Sequence, residues 1–294
     1  MKILIVGNIT IDEIGDRIRV GGTGYYGGKA LAEFLNEEVY VATNIDENFK
    51  GLIKGVLESS GIRVIELGEN ATPVFVISGG KAVGFKGRSP RIKLQDLEHY
   101  VKVYGFDVVV LGPIMREIEL QEIPVAASWS PKILSLDIQG VVRSVEDSSI
   151  TLKWSKEVEE YLSYLDVVHG NLREFCFSNN LPEVLRTVRE WSTTINTAIL
   201  VSLDEKGLYL VHRGEVLYIR PLHVSVVDEV GAGDILLTVT SYYMAKGLTP
   251  LAAALRGAAA AMLKVENAYR EWFNAELIES FAKELESRVE ALSL

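Results

Sequence analysis

Six short apolar runs do most to limit the folds open to this chain. They lie at residues 2–7, 39–43, 108–112, 133–137, 167–169 and 199–203, are rich in β-branched side chains, and hardly alternate between apolar and polar. A strand with one wet face alternates, whereas a strand covered on both faces does not. Helical patterns fall between and after the runs, at 25–35, 49–60, 181–193, 234–246, 250–265 and 275–292. Strands alternating with helices predict an α/β fold: a three-layer α/β/α core around a mainly parallel sheet.

Two regions depart from this rhythm. Residues 72–77 and 82–85 flank Ser78-Gly79-Gly80-Lys81, where Gly-Gly suits a tight hairpin turn. Residues 16–20 form another short strand pattern close behind the first buried run. They read either as edge strands of the main sheet or as a small β lid. The lid reading assigns 13–20 and 72–87 to the lid, and 1–12, 21–71 and 88–294 to the core.

The formal net charge of −10 removes the basic field that a nucleic-acid binder uses to gather phosphates. The apolar stretch at 248–265 carries Arg256 and Lys264, and so reads as a buried helix rather than a membrane span. The opening run is too short for a signal peptide and is soon followed by Asp12 and Glu13. A single cysteine, Cys176, allows no internal disulfide, so a reducing cytoplasm is expected.

The strongest chemical signal is Asp228-Glu229-Val230-Gly231-Ala232-Gly233-Asp234 ahead of an apolar helix. Gly231 and Gly233 permit a sharp turn and a close ligand approach. The N–H groups of Gly231 and Gly233 would then face an anion at a helix N-terminus. Asp234 reads either as a general base for an attacking hydroxyl or as a helix cap. Asn171-Leu172-Arg173-Glu174 follows a strand. It reads either as a capping box or as an Asn/Glu pair holding the water shell of Mg2+.

The segment Gly21-Gly22-Thr23-Gly24-Tyr25-Tyr26-Gly27 spells a dinucleotide fingerprint, and with it an oxidoreductase. The fingerprint should follow the first strand at once, and here about a dozen residues intervene, so that reading is rejected. A Gly-rich approach to a small polar ligand fits better. Asp12, just past the first strand, either binds hydroxyls or starts a turn.

In this order, the segments resemble the ribokinase-like (PfkB) carbohydrate kinase family over nearly the whole chain. The match runs through Asp12, Gly21-Gly22, Asn171 with Glu174, and Asp228 with Gly231-Ala232-Gly233-Asp234. The resemblance implies Asp234 as catalytic base and Gly231, Ala232 and Gly233 as anion hole. It implies Asn171 and Glu174 on Mg2+ and phosphates, and a monovalent cation such as K+ at Asp228. Asp12, Gly21 and Gly22 would line the substrate pocket under a lid, whose edges some relatives bury in a homodimer. Ser202, Asp204 and Gly207 lie in a segment similar to the family's nucleotide-side turn, with Asp204 in place of its first glycine. Asp137-Ile138-Gln139-Gly140-Val141-Val142-Arg143 resembles a segment of the inositol-kinase-like branch, which puts Gln139 and Arg143 at the substrate. Tyr26 stands where many members carry Asn, so a ring-shaped acceptor (a cyclitol such as myo-inositol, or a nucleoside) is expected over ribose or fructose. The expected protein is an ATP- and Mg2+-dependent kinase of small hydroxylated molecules. The alternative is a catalytically weak sugar or nucleotide sensor on the same fold.

Overall fold

The first strand shows how the chain is layered. Ile3 and Ile5 point into one apolar cluster, while Leu4 and Val6 point into another, and all four are fully buried. Period-2 side chains on a strand with no wet face need cover on both sides. The computed structural model describes residues 1–78 and 81–293.

The strands are β1 (Lys2–Val6), β2 (Thr10–Ile14), β3 (Arg17–Gly21), β4 (Glu38–Thr43), β5 (Arg63–Glu66), β6 (Val74–Ser78), β7 (Lys81–Lys86), β8 (Val108–Leu111), β9 (Ile133–Asp137), β10 (Arg143–Glu146), β11 (Ser149–Leu152), β12 (Val167–Asn171), β13 (Ala198–Ser202), β14 (Leu208–His212), β15 (Glu215–Ile219) and β16 (Val289–Ala291). The helices are α1 (Thr23–Lys29), α2 (Lys50–Ser59), α3 (Glu98–Tyr104), α4 (Ile123–Ser128), α5 (Gln139–Val142), α6 (Glu157–Tyr161), α7 (Leu181–Thr194), α8 (Ala232–Ala245), α9 (Pro250–Asn267) and α10 (Ala275–Glu286).

The larger sheet has the order β16-β15-β14-β13-β12-β9-β8-β1-β4-β5. The seven strands from β13 to β5 are parallel, and β14, β15 and β16 add antiparallel at one edge. Residues of α1, α2, α8, α9 and α10 share the cluster of Ile3 and Ile5, and those of α4, α6 and α7 share the cluster of Leu4 and Val6. The expected α/β/α layering is therefore present. The chain leaves β1 toward β4 on one side and later returns to β8 on the other. Ligands of open α/β sheets bind beyond the carboxyl ends of the strands near such a reversal.

The second sheet, in the order β10-β11-β7-β6-β2-β3, stands apart from the first. Val74–Ser78 and Lys81–Lys86 are thus not edge strands of the main sheet. The small sheet reaches beyond the segments that sequence pattern marked: it includes Thr10–Ile14 and gains the β10–β11 hairpin. The Gly79-Gly80 turn lies outside the described residues. The helix expected over 275–292 stops at Glu286, and Val289–Ala291 instead pairs antiparallel with β15. That open edge, offering Leu217, Tyr218 and Ile219, captures a segment whose helical periodicity was already complete.

Candidate active site

A cavity of about 780 Å3 opens across the carboxyl ends of β9, β12 and β13, under the second sheet. It brings together Asp12, Gly22, Tyr26, Gln139, Arg143, Asn171, Glu174, Ser202, Asp204, Gly207 and Gly231-Ala232-Gly233-Asp234. Of the residues singled out from sequence, Gly21 and Asp228 do not line it.

Gly231 precedes α8 with φ +84, and a Cβ there would lie 2.2 Å from the Tyr26 ring. A Cβ on Gly233 would lie 2.8 Å from His169 Cε1. Both glycines are therefore demanded by packing, and at Gly231 also by the left-handed backbone. No side chain caps α8, so its first-turn N–H groups are open to an anion. Ala232 departs from the expected donor set, because its N–H already donates to Glu229 O at 3.2 Å.

Asp234 is the third residue of α8, past the cap position held by Gly231. Its carboxylate turns away from the helix end and accepts from Thr23 Oγ1 at 2.5 Å. The helix-cap reading thus gives way to a side chain held at the cavity floor. Burial, followed by the nearby Asp137 charge, pushes the Asp234 carboxyl up to about 7, against the pull of Thr23, His169 and Arg143. A carboxylate in that range is suited to accept a proton near neutrality.

Beneath Gly233 runs a polar chain that sequence reading had not assembled. Asp137 Oδ2 lies 2.9 Å from His169 Nδ1, and His169 Nε2 lies 3.1 Å from Ser202 Oγ. The three residues sit on neighbouring parallel strands, with His169 directly opposite Asp137 in the ladder. Burial alone would lower the His169 pKa, but the Asp137 carboxylate more than reverses this. In sequence His169 belongs to no motif and has no metal-ligand spacing to another histidine. The available signal was its place two residues before Asn171, on the same face of the strand.

The Asn171/Glu174 pair forms the capping box. Asn171 N–H donates to Glu174 Oε2 at 2.8 Å, and Asn171 Oδ1 accepts from the Arg173 N–H at 3.2 Å. The other Glu174 oxygen stays 3.7 Å from Arg143 Nη2, and burial, then Asp137, raises its carboxyl. Among the described residues no group of three or more His, Cys, Asp or Glu side chains could hold a metal. Mg2+ needs less than that: one or two carboxylates, with waters and phosphates completing the shell. Glu174, with one oxygen not used by the capping box, and Asn171 meet that requirement.

At one end of the cavity Asp12 accepts from Thr10 Oγ1 at 2.8 Å, and burial raises its carboxyl above the usual range. A Cβ on Gly21 would lie 2.5 Å from both Asp12 Oδ2 and Thr10 Oγ1, so Gly21 makes room for this pair without facing the ligand. Gln139 and Arg143 stand nearby, and Phe75, Ile77 and Ile150 of the second sheet form an apolar ceiling. Tyr26 is only 3% exposed. Its ring is wedged behind Gly231 and stacks on Trp272 at 6.3 Å, so it buttresses the loop instead of offering a flat wall to substrate.

At the other end, Asp204 takes φ +52, a left-handed backbone that a glycine would adopt without cost. The turn therefore survives the replacement of glycine. Asp204 Oδ1 accepts from Asn171 Nδ2 at 2.7 Å, which ties the two segments together. Beyond them lies an apolar slot made by Leu208, Leu222, Ala258, Ala261, Met262 and Leu285.

Asp228, where a monovalent cation was expected, is already bracketed by protein cations. Arg19 Nη1 donates to its Oδ2 at 2.7 Å, and Lys264 Nζ lies 3.6 Å from the same oxygen. Burial alone would raise the Asp228 carboxyl, but Lys264 and Arg19 hold it low. Burial brings the Lys264 ammonium down to about 8, in spite of Asp228.

The fold that sets a carboxylate and an open helix N-terminus on one cavity is ribokinase-like. The pfkB family carbohydrate kinase model matches residues 135–270. No curated protein matches the sequence. Among solved structures it is similar to a pyrophosphate-dependent kinase in the ribokinase family, complexed with a pyrophosphate analogue and myo-inositol. That pair shares 20% identity over 95% of this chain and 99% of the other, with a TM-score of 0.78. Thermotoga maritima ribokinase aligns at 20% identity over 96% and 99% of the two chains, TM-score 0.72. Arabidopsis thaliana ribokinase, complexed with ribose and ATP, aligns at 20% over 96% and 98%, TM-score 0.67. Among the described residues no helix is long and apolar enough to cross a membrane.

Proposed function

We propose that this carbohydrate kinase transfers the γ-phosphoryl group of ATP to a hydroxyl of a cyclitol or nucleoside, with Asp234 as general base. The observation that carries the reading is Asp234 itself, raised to about 7 in the first turn of α8, between a polar pocket and an apolar slot. Asp12, Gln139 and Arg143 present the acceptor's hydroxyls, and the ceiling of Phe75, Ile77 and Ile150 excludes water once the second sheet closes as a lid.

The acceptor oxygen attacks the γ-phosphorus in line while its proton passes to Asp234. The bond from phosphorus to the β-bridging oxygen breaks, and its electron pair leaves with ADP. Gly231 and Gly233 N–H groups face the charge spreading over the transferring oxygens. Glu174 and Asn171 would hold Mg2+, which would supply charge neutralisation to the phosphates. Thr23 keeps the Asp234 carboxylate aimed at the acceptor.

The donor assignment rests on the slot at Leu208, Leu222, Ala258, Ala261, Met262 and Leu285, which offers an apolar face to a nucleobase. Pyrophosphate has no group to fill it. The fold's likeness to a pyrophosphate-dependent kinase makes that donor the second reading. The second sheet also exposes Ile18, Val83 and Val145, which supports a homodimer through the lid, checked by sedimentation.

Initial rates with ATP and with pyrophosphate, each against myo-inositol, a purine nucleoside, ribose and fructose, test both assignments. The expected result is turnover with ATP and a higher kcat/KM for myo-inositol or the nucleoside. A preference for pyrophosphate would replace the donor, and a preference for ribose or fructose would replace the acceptor. Binding without turnover for every pair would favour a sensor.

A further inference from the structure

Lys264, in the last turn of α9, is 1% exposed, although lysine is almost never fully buried unless it is paired. Its ammonium donates to the backbone carbonyls of Asp228, at 2.9 Å, and Val230. It stands 3.6 Å from Asp228 Oδ2 and 5.2 Å from the centre of the Tyr26 ring. Three oxygens and an aromatic face thus surround one compact positive charge, which has three protons to give. The same stretch of chain is tied to α9 a second time. The Val227 and Asp228 N–H groups both donate to Val265 O, at 3.0 and 3.2 Å. Lys264 does not line the cavity and has no part in the proton transfer described above.

We propose that Lys264 is a built-in monovalent cation for the anion hole, whose ammonium fills the oxygen nest at Asp228 and Val230 and frees the enzyme from any need for an alkali cation. The consequence for the loop follows from peptide geometry. The Val230 carbonyl shares a trans peptide plane with the Gly231 N–H, and the two point in opposite directions. Fixing the carbonyl on Lys264 fixes the direction of the N–H, the first donor of the anion loop. Without the ammonium, the Asp228 and Val230 carbonyls would converge with nothing between them, the carboxylate would keep only Arg19, and the loop would turn to relieve the carbonyls. A free K+ would have to take the same oxygens, and they are already engaged. The tether also removes the entropy of capturing an ion from solution. Lys264 is thus a positioning residue, acting through the loop.

The proposal rests on the kinase reading, and its test separates the two. Turnover of the unaltered protein is measured at constant ionic strength with K+ or with tetramethylammonium, which is too large for the nest. Equal rates are expected, and marked stimulation by K+ would overturn the proposal. Lys264→Ala leaves a hole and should lose about 10- to 100-fold in kcat in tetramethylammonium, the range expected when a charge-assisted hydrogen bond is lost. K+, NH4+ or ethylammonium should restore much of it. Lys264→Met fills the space without a charge and should lose activity that no cation restores. An Ala variant that no cation rescues would make Lys264 a packing residue only. Melting temperatures supply a readout that needs no turnover. K+ should stabilise the Ala variant over tetramethylammonium by a few degrees and leave the unaltered protein unmoved. Absence of turnover in every salt would count against the kinase reading, whereas K+-specific stabilisation of the unaltered protein would count against Lys264. A variant that folds only when K+ or ethylammonium is present would support the proposal.

Discussion

Asp234→Asn should do two opposite things, weakening catalysis and strengthening the fold. The carboxyl goes from 3.8 in an unfolded chain to about 7 in the folded one, mainly through burial and the Asp137 charge. Between those values the folded protein holds a proton that the unfolded chain has released. The stabilisation from this group is therefore complete below pH 4 and is lost as pH rises through 7. A shift of that size corresponds to at most about 4 kcal/mol, and partial exposure of Asp234 reduces it to roughly 1–3 kcal/mol. The amide keeps an oxygen for the Thr23 hydroxyl and never ionises. At pH 8 the variant should therefore melt a few degrees higher than the parent, about 2 °C per kcal/mol for a chain of this size. At pH 4 the two should coincide. Turnover should fall by about 10²–10⁴, the range for loss of a general base. In the parent, kcat should rise with pH on a limb centred near 7. Calorimetry at several pH values, with initial rates on the same samples, provides both numbers. Near-parental kcat would refute the base assignment. A variant less stable than the parent at pH 8 would refute the electrostatic reasoning.

Three further outcomes follow from the same geometry. Thr23→Val removes the hydroxyl that favours ionised Asp234, so the acidic limb of the kcat profile should move to higher pH; an unmoved limb would mean that Thr23 is only packing. Glu174→Gln keeps an oxygen for the Asn171 N–H but removes the charge, so the Mg2+ concentration for half-maximal rate should rise with little change in melting temperature; unchanged Mg2+ dependence with a lowered melting temperature would leave only the capping box. Amide exchange in β2, β3, β6, β7 and the β10–β11 hairpin should slow together when acceptor binds, and equal exchange with and without bound acceptor would rule out a moving lid.

What the sequence could disclose depended on whether a local rule was involved. The loop at 228–234 was legible because close backbone approach leaves no alternative to glycine, and the Tyr26 ring and His169 show what a Cβ would meet. The buried parallel strands were legible because two-sided cover abolishes alternation, as Ile3 to Val6 show. The hairpin at 143–152 escaped because its turn uses Asp147 and Ser148 at φ +49 and +64, where pattern reading looks for glycine.

The chain from Asp137 through His169 to Ser202 was hidden for a different reason. Each residue alone is an ordinary polar side chain at a strand end. Only the register of β9, β12 and β13, which sets His169 opposite Asp137 and Asn171 opposite Ser202, makes them one network. The same holds for Lys264, which is 36 residues from the Asp228 carbonyl it binds. Read along the chain it is a charge that interrupts an apolar helix. Read in space it is the counter-charge to a loop that must turn its N–H groups outward. A buried ammonium survives where oxygens converge on it. In the proposed mechanism the same convergence would hold the loop ready for a phosphoryl group without reorganisation, which is what electrostatic catalysis requires of it. The lysine that looked out of place in a core helix and the glycines that looked like a ligand loop are thus two halves of one device, joined by the α8–α9 packing.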